Sequence, residues 1–219
     1  MGAILNAVGV TKLYIRGAET VRALDNINIS IERGDMVAVV GPSGSGKTTL
    51  LNMLGGFDKP TNGSIYLKEF EISNMKEREL NLIRRKEIGY IFQNFHLLPT
   101  LTVRENISIP LIFSGKKEDG RVERVLEVVG LSNRATHLPS QISGGEMQRT
   151  AIARALINDP EILIADEPTG NLDSEMALSI FNLFNSINQQ GKTIIIVTHN
   201  LELAKKCRRR LHIKDGRIE

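Results

Sequence analysis

One short stretch has the residue types that hold a chain of phosphates, GPSGSGKTT at residues 41–49. Its glycines let backbone N–H groups converge on phosphate oxygens, Lys47 can reach the outer phosphates, and Thr48 offers a hydroxyl to Mg²⁺. The apolar run VAVV precedes it and LLNML follows, which is the strand–loop–helix context that this chemistry requires. The predicted phosphate site consists of Gly41, Pro42, Ser43, Gly44, Ser45, Gly46, Lys47, Thr48 and Thr49.

A pair of carboxylates ends a second apolar run, ILIADEP. Asp166 suits the carboxylate that holds Mg²⁺ beside a phosphate loop. Glu167 comes next, and alternation along a strand would point it elsewhere, towards an attacking water. The alternative is a strand end with two solvated carboxylates.

Two further polar residues end apolar runs. His199 closes IIIVTH and could hydrogen-bond a terminal phosphate. Gln93 closes IGYIFQ, and its amide oxygen could reach Mg²⁺ or the attacking water. Each is alternatively a cap or a surface residue.

A second candidate for anion binding is ISGGE, where Ser143, Gly144, Gly145 and Glu146 precede an amphipathic helical pattern. The stretch fits a capping box, so it could simply begin a helix. Adjacent glycines nevertheless disfavour helix by roughly 1 kcal/mol each, a cost that a plain cap avoids. Since this segment belongs to a predicted helical lobe, it is poorly placed to reach its own phosphate loop. We therefore expect it to serve the loop of a second copy in a two-fold dimer.

The hydrophobic pattern predicts how these residues are positioned. The runs DMVAVV, EILIAD and KTIIIV are apolar on successive residues, as in buried parallel strands, and VRALDNINISIERG and GSIYLKEFEI alternate as antiparallel strands do. TVRENISIPLIFS, GRVERVLEVVGL and GEMQRTAIARALI have helical periodicity, and Pro99, Pro139 and Pro160 punctuate that block. We predict one domain over 1–219. Its α/β core covers about 1–93 and 159–219, with antiparallel strands at about 1–33 and 63–72, and its helical subdomain covers about 94–158.

Composition excludes some classes of protein. The 219 residues carry a net charge of +3 and a single cysteine, so no internal disulfide can form. The longest apolar runs fall far short of the roughly 20 residues that span a bilayer. The cationic KKCRRR is expected to be a solvated face, and no nucleic-acid partner is expected.

The order GPSGSGKTT, Gln93, ISGGE, ILIADEP, GNLD, VTHN resembles the nucleotide-binding subunits of ABC transporters, nearly end to end. The resemblance implies an ATP- and Mg²⁺-dependent ATPase with a RecA-like P-loop NTPase core, an N-terminal antiparallel β subdomain and an inserted helical subdomain. It implies a homodimer on ATP binding, in which Ser143, Gly144 and Gly145 bind the γ-phosphate held by the other subunit.

The same resemblance assigns further roles. Asn171, Leu172 and Asp173 would cross the dimer interface, Glu167 would polarise water and His199 would hold the γ-phosphate. Tyr14 would stack on adenine, although it could instead be a packed residue. Two departures are Ile142, where Leu is usual, and Glu146, where Gln is common.

Finer similarity, in LNMLGGFDKPTNGSIYL and in the residues after Gln93, points to the branch of lipoprotein-release, macrolide-export and antimicrobial-peptide-resistance ATPases. It implies a separate membrane permease docking near Phe95, Leu97 and Leu98, and a place on the cytoplasmic face of the cell membrane. These three residues could alternatively be ordinary core of the lobe. The alternative function is a soluble ABC-type ATPase acting on DNA, ribosomes or cofactor assembly. Small-molecule phosphotransfer would leave ISGGE and GNLD unexplained.

Overall fold

The computed structural model describes residues 2–17 and 19–219 of the chain. The strands are β1 (Ala3–Arg16), β2 (Glu19–Glu32), β3 (Met36–Val40), β4 (Asn62–Leu67), β5 (Phe70–Glu71), β6 (Ile88–Ile91), β7 (Ile162–Asp166), β8 (Thr193–Val197), β9 (Arg209–Lys214) and β10 (Arg217–Ile218). The helices are α1 (Lys47–Leu54), α2 (Glu77–Glu87), α3 (Val103–Ser114), α4 (Arg121–Val129), α5 (Gly144–Leu156), α6 (Ser174–Gln189) and α7 (Leu201–Lys205). Three 3₁₀ turns cover 72–74, 132–134 and 139–141.

The larger sheet has the order β10-β9-β3-β8-β7-β6. Its strands pair in parallel except for the antiparallel edge strand β10. This confirms the prediction of buried parallel strands for β3, β7 and β8. Val197 lies opposite both Val39 and Asp166. The three strands therefore end almost level with one another, and the loops that follow them leave from one edge.

The smaller sheet is antiparallel, with the order β2-β1-β4-β5. The second half of β2 alternates buried and exposed residues, as predicted for a strand with one face on a core and one in solvent.

Two hydrophobic cores lie on opposite faces of the parallel sheet. Val37 and Val39 pack into the core formed with the antiparallel sheet and α1. Met36, Ala38 and Val40 pack into the core formed with α3 to α6. Because both faces are covered, every residue of β3 is buried, which explains the uninterrupted apolar run.

The three segments with helical periodicity form α3, α4 and α5. Thr102 and Glu105 form a capping box at the start of α3, and α4 ends at Gly130 in the left-handed conformation. Pro110 lies inside α3. The lobe boundaries at about 94 and 158 stay a prediction. No helix within the described residues is long and apolar enough to span a bilayer.

Candidate active site

The loop between β3 and α1 passes very close to neighbouring backbone. Gly41 and Gly46 have φ of 155° and 105°, in the region that glycine favours. A Cβ on Gly41 would lie 2.0 Å from the carbonyl oxygen of Ile213, and one on Gly46 would lie 2.4 Å from that of Ala23. Both glycines are therefore required for the loop to take this path.

The end of this loop is suited to an anion. Helix α1 begins at Lys47 with no side-chain cap and no acidic residue in its first turn, so its first N–H groups point towards the loop without an acceptor of their own. Lys47 Nζ donates to the carbonyl oxygens of Gly41 and Pro42, each at 2.8 Å, and so lies across the loop. The buried Ser45 Oγ has no hydrogen-bond partner among the described residues.

Asp166 is the last residue of β7 and lies beside the Thr48 side chain. Burial raises the pKa of Asp166 above its ordinary range, and the nearby charge of Glu167 acts in the same direction. The Thr48 side chain and the charge of Lys47 oppose that rise. Removal from water thus makes the ionised carboxylate costly.

The oxygen donors near the loop fit Mg²⁺. Within residues 2–17 and 19–219 no three His, Cys, Asp or Glu side chains cluster as a metal cage would require. Mg²⁺ usually keeps several waters and is held by one or two protein carboxylates, together with substrate phosphates. The hydroxyl of Thr48, one carboxylate at Asp166 and the amide oxygen of Gln93 are a donor set of that type.

Glu167 does not continue the strand. Its φ is +45°, in the left-handed region that non-glycine residues rarely adopt. Its N–H donates to the carbonyl oxygen of Val197 at 3.0 Å, which ties the turn to the end of β8. The prediction that strand alternation orients Glu167 was therefore wrong in its reason, since the backbone leaves the strand at Asp166.

His199 pairs directly with Glu167. The distance from His199 Nδ1 to Glu167 Oε2 is 3.0 Å, and the His199 side chain is 63% exposed. An ionised carboxylate only accepts hydrogen bonds, so catalysis by the Glu167 carboxylate requires the tautomer of His199 in which Nδ1 donates. The second ring nitrogen stays free to meet a ligand on the exposed side.

Gln93 follows β6 and lies on the same edge of the sheet. A Cβ placed on Gly170 would lie 3.4 Å from Glu167 Oε2 and 3.7 Å from Gln93 Nε2, so both side chains border that glycine. Asn171 Nδ2 donates to the backbone oxygen of Gln93 at 3.4 Å. The parallel sheet thus brings Gln93, Glu167 and the loop of Asn171 together.

Tyr14 borders an open cleft of about 380 Å³ over the phosphate loop. The cleft is lined by Tyr14, Val21, Arg22, Ala23, Ser43, Gly44, Gly46, Lys47, Thr48, Thr49 and Glu167. The Tyr14 hydroxyl donates to Asp58 Oδ2 at 2.9 Å, and Lys12 Nζ lies 5.0 Å from the ring centroid. Sequence reasoning missed Asp58 and Arg22, because folding alone brings them near the cleft. The stacking role of Tyr14 stays a prediction.

The second glycine-rich stretch has the geometry of a capping box. Glu146 N–H donates to Ser143 Oγ at 3.2 Å, and Ser143 N–H donates to Glu146 Oε2 at 2.8 Å. A Cβ on Gly144 would lie 3.6 Å from Leu172, and one on Gly145 would lie 3.1 Å from Met176 Sδ. The glycines therefore let the start of α5 approach the Leu172 loop and the start of α6 closely.

This turn still offers donors at the surface. Ser143 is exposed and Gly144 is half-buried, whereas Gly145 is buried. The N–H groups of Gly144 and Gly145 lie in the first helical turn, where no intrahelical acceptor exists. Residues 141–146 do not line the cleft over the phosphate loop within the described structure. One copy thus presents two features suited to phosphate at separate places.

Comparison with known proteins identifies the family. A family model described as ABC transporter matches residues 24–170. The chain belongs to the ABC transporter family. It is an ATP-binding cassette of the ABC ATPase type, and its predicted α/β fold class is confirmed.

Relatives of this cassette cover nearly its whole length. It is 45% identical over 222 residues to an uncharacterised ABC transporter ATP-binding protein of Thermotoga maritima, covering 100% of this chain and 95% of the relative. A dimeric structure of the Methanocaldococcus jannaschii cassette MJ0796, in a post-hydrolysis state with ADP and Pi, matches with a TM-score of 0.90 and 42% identity, covering 98% of this chain and 96% of that one. The macrolide export ATP-binding/permease protein MacB of Bdellovibrio bacteriovorus is 45% identical over 220 residues, which are 99% of this chain but 33% of MacB.

Burial of the Asp166 carboxylate should affect both the stability of the protein and its ATP hydrolysis. Since burial raises its folded-state pKa above the unfolded value, an ionised Asp166 costs stability near neutral pH, and this cost falls as pH falls through the folded-state pKa. Asp166→Asn should therefore raise the thermal unfolding midpoint of the nucleotide-free protein by about 2 °C, while ATP hydrolysis falls at least about 100-fold. Differential scanning fluorimetry and phosphate release measure the two effects.

The exposed Asp119 provides the control, because Asn also tolerates its left-handed backbone. Asp119→Asn should leave both quantities unchanged. An Asp166→Asn protein that is less stable than the wild type contradicts the expected cost of burying this charge.

Proposed function

We propose that two copies of this cassette close around two MgATP at composite sites, hydrolyse the nucleotide and thereby drive a separate membrane permease. The observation that carries this proposal is the separation of two phosphate-directed features on one chain, the loop at 41–49 and the turn at 143–146. Support comes from MJ0796, which is dimeric in two solved structures, and from MacB, in which an ATP-binding part and a permease share one protein.

One half of each proposed site is the phosphate loop. Its backbone N–H groups and Lys47 Nζ hold the phosphates, and Lys47 exchanges its two carbonyl acceptors for phosphate oxygens. Thr48, Asp166 and Gln93 would hold Mg²⁺, which neutralises charge on the phosphate oxygens. Tyr14 would stack on adenine, held in place through its hydroxyl by Asp58.

Hydrolysis requires a water in line with the γ-phosphate. Glu167 accepts a proton from that water, the water oxygen bonds to the γ-phosphorus, and the bond from this phosphorus to the bridging oxygen breaks, which leaves ADP and phosphate. The hydrogen bond to His199 orients the Glu167 carboxylate, and the second ring nitrogen of His199 would bind the γ-phosphate. The Gln93 amide would contact the bound Mg²⁺ or water, and a shift of Gln93 on ATP binding would then move the loop that follows it.

The second half comes from the other copy. The N–H groups of Gly144 and Gly145 and the Ser143 hydroxyl would approach the γ-phosphate, and Asn171, Leu172 and Asp173 would cross the interface between the two sites. Leu172 already contacts the Gly144 position within one chain, so the two loops would move together. Closure of the dimer is favourable only while the charged γ-phosphate is bound by both halves of the site. Hydrolysis separates this phosphate from the nucleotide, and closure is then no longer favoured.

The first test removes the proposed base. Glu167→Gln keeps the size of the side chain but cannot accept the proton, so hydrolysis should slow by about 100-fold to 10,000-fold while ATP binding persists. Dimer should accumulate in ATP, as size-exclusion chromatography with light scattering would show. Hydrolysis at the wild-type rate would exclude Glu167 as the base.

The second test separates composite sites from sites within one chain. Ser143→Arg blocks the second half and Lys47→Ala removes the first, so each variant alone should be inactive. A mixed dimer would have one intact site, and since half of random dimers are mixed, about a quarter of the wild-type activity should return. Mixing that restores no hydrolysis, although mixed dimers form, contradicts composite sites.

The permease would dock beside the residues that follow Gln93. Phe95 and Leu97 are half-buried and Leu98 is exposed. Arg154 donates to the backbone oxygens of Phe95 and His96 at 2.7 and 2.6 Å and so holds this segment against α5. An adjoining groove of about 290 Å³ is lined by side chains of α2, β6, α3 and α5. A short permease helix in this position could move the segment that Gln93 begins.

Leu98→Asp tests this docking site. The charge should weaken co-purification with the permease about tenfold, since an exposed apolar contact becomes a buried charge on binding. Hydrolysis by the isolated cassette should stay unchanged. Val128→Asp is the matched control, because Val128 is similarly exposed and belongs to α4 rather than to the segment. Loss of co-purification with both variants, or with neither, contradicts docking at Leu98.

A further inference from the structure

Glu146 places a carboxylate at the helix start that the proposed function assigns to the γ-phosphate of the other copy. It lies three residues after Ser143, in the first turn of α5. A bare negative charge at this place would oppose the approach of a triphosphate, all the more so once closure excludes water from the interface. Some other group must therefore offset this charge if the turn is to bind phosphate.

Arg134 is placed to do this. It ends the 3₁₀ turn at 132–134, between α4 and α5, and its Nε donates to Glu146 Oε1 at 2.9 Å. The other carboxylate oxygen, Oε2, accepts the N–H of Ser143 at 2.8 Å. Both oxygens of Glu146 are thus occupied, and the carboxylate is turned back onto its own chain.

The pair lies at the surface rather than in the core. The side chains of Arg134 and Glu146 are 47% and 27% exposed, so the charges remain accessible to an approaching second copy. The hydrogen bond from Ser143 N–H lowers the pKa of Glu146, and Arg134 adds to that effect, so the carboxylate is ionised at neutral pH. The summed charge of the two side chains is then zero.

We propose that Arg134 is a positioning residue of the ATP site, which neutralises Glu146 so that the Ser143 turn can accept the γ-phosphate held by the other copy. This inference rests on the composite site proposed above. Glu146 supplies the cap at the helix start, and Arg134 supplies the charge that compensates it. The effect counts twice in each dimer, because each dimer contains two such turns.

A charge cycle tests this role. The measured quantity is the concentration of a non-hydrolysable ATP analogue that gives half-maximal dimer in analytical ultracentrifugation. Arg134→Gln leaves Glu146 uncompensated and should raise this concentration about fivefold, the effect of a modest surface charge interaction counted at two sites. Glu146→Gln keeps a side chain that can complete a capping box and should need no more nucleotide than the wild type.

The double variant, Arg134→Gln with Glu146→Gln, shows whether Arg134 acts by neutralising Glu146 or by holding the turn rigid through the ion pair. It lacks the ion pair but again sums to zero charge, so it should return to within about twofold of the wild type. A double variant that stays as weak as Arg134→Gln shows that the pair acts as a brace and contradicts the proposal. Arg134→Gln that dimerises like the wild type contradicts it as well.

Two further variants control for the loss of any surface cation and for the loss of the arginine side chain itself. Lys192→Gln removes a cation paired with Asp159 beside the far edge of the sheet and should leave dimerisation unchanged. Arg134→Lys keeps the charge and should stay within about twofold of the wild type, which settles the question even if Arg134→Gln fails to fold. A Lys variant that fails like the Gln variant contradicts a charge role.

Higher salt should reduce the dimerisation defect of Arg134→Gln, since the charge interaction is partly exposed and is therefore screened by salt.

Failure here is distinguishable from failure of the composite site. If Ser143→Arg and Lys47→Ala complement each other while the charge cycle shows no rescue, the site is shared between copies and Arg134 has no part in neutralising it. If the two do not complement each other, the composite site itself is wrong.

Discussion

The parallel register of the central sheet is the constraint on which this site depends. Val197 stands opposite both Val39 and Asp166, so three strands end together and their polar residues meet at one edge. Two backbone bonds continue this alignment beyond the strands, from Glu167 N–H to Val197 and from Thr198 N–H to Val39. A shift of one residue in any of these strands would turn its side chains to the opposite face and separate the site.

Two cores keep that register in place. Because β3 is buried on both faces, the strand cannot shift in register without exposing apolar surface. The same arrangement leaves the edge itself polar. Asp166 and Glu167 lie close together there, with a raised pKa at Asp166 and a left-handed backbone at Glu167. Both features cost stability in the nucleotide-free chain, and a bound cation and phosphates are the partners that would offset the charge.

Much of the fold could be predicted from the sequence, because apolar periodicity directly reports which faces are buried. The strands β3, β7 and β8 and the helices α3, α4 and α5 were predicted on that ground. Helix α2 was not, since most of its residues are charged and only Leu80 and Ile83 pack against a core, which is a short apolar stripe. The helical periodicity of α3 also predicted a helix through Pro110, although proline usually ends or kinks a helix.

The site was predictable in its residue types but not in its contacts. Glycine spacing indicated the phosphate loop, and strand ends indicated Asp166, Glu167 and His199. The left-handed turn at Glu167 depends on its bond to β8, which no local pattern encodes. Two hydrogen bonds join residues that only the folded chain brings together. Tyr14 donates to Asp58, and Arg134 donates to Glu146.

The most direct measurement is a structure of the cassette with a bound non-hydrolysable ATP analogue and Mg²⁺. We predict a two-fold dimer in which each γ-phosphate lies between Lys47 of one copy and the N–H groups of Gly144 and Gly145 of the other. A nucleotide-filled dimer in which the Ser143 turn lies far from both triphosphates would contradict the shared site.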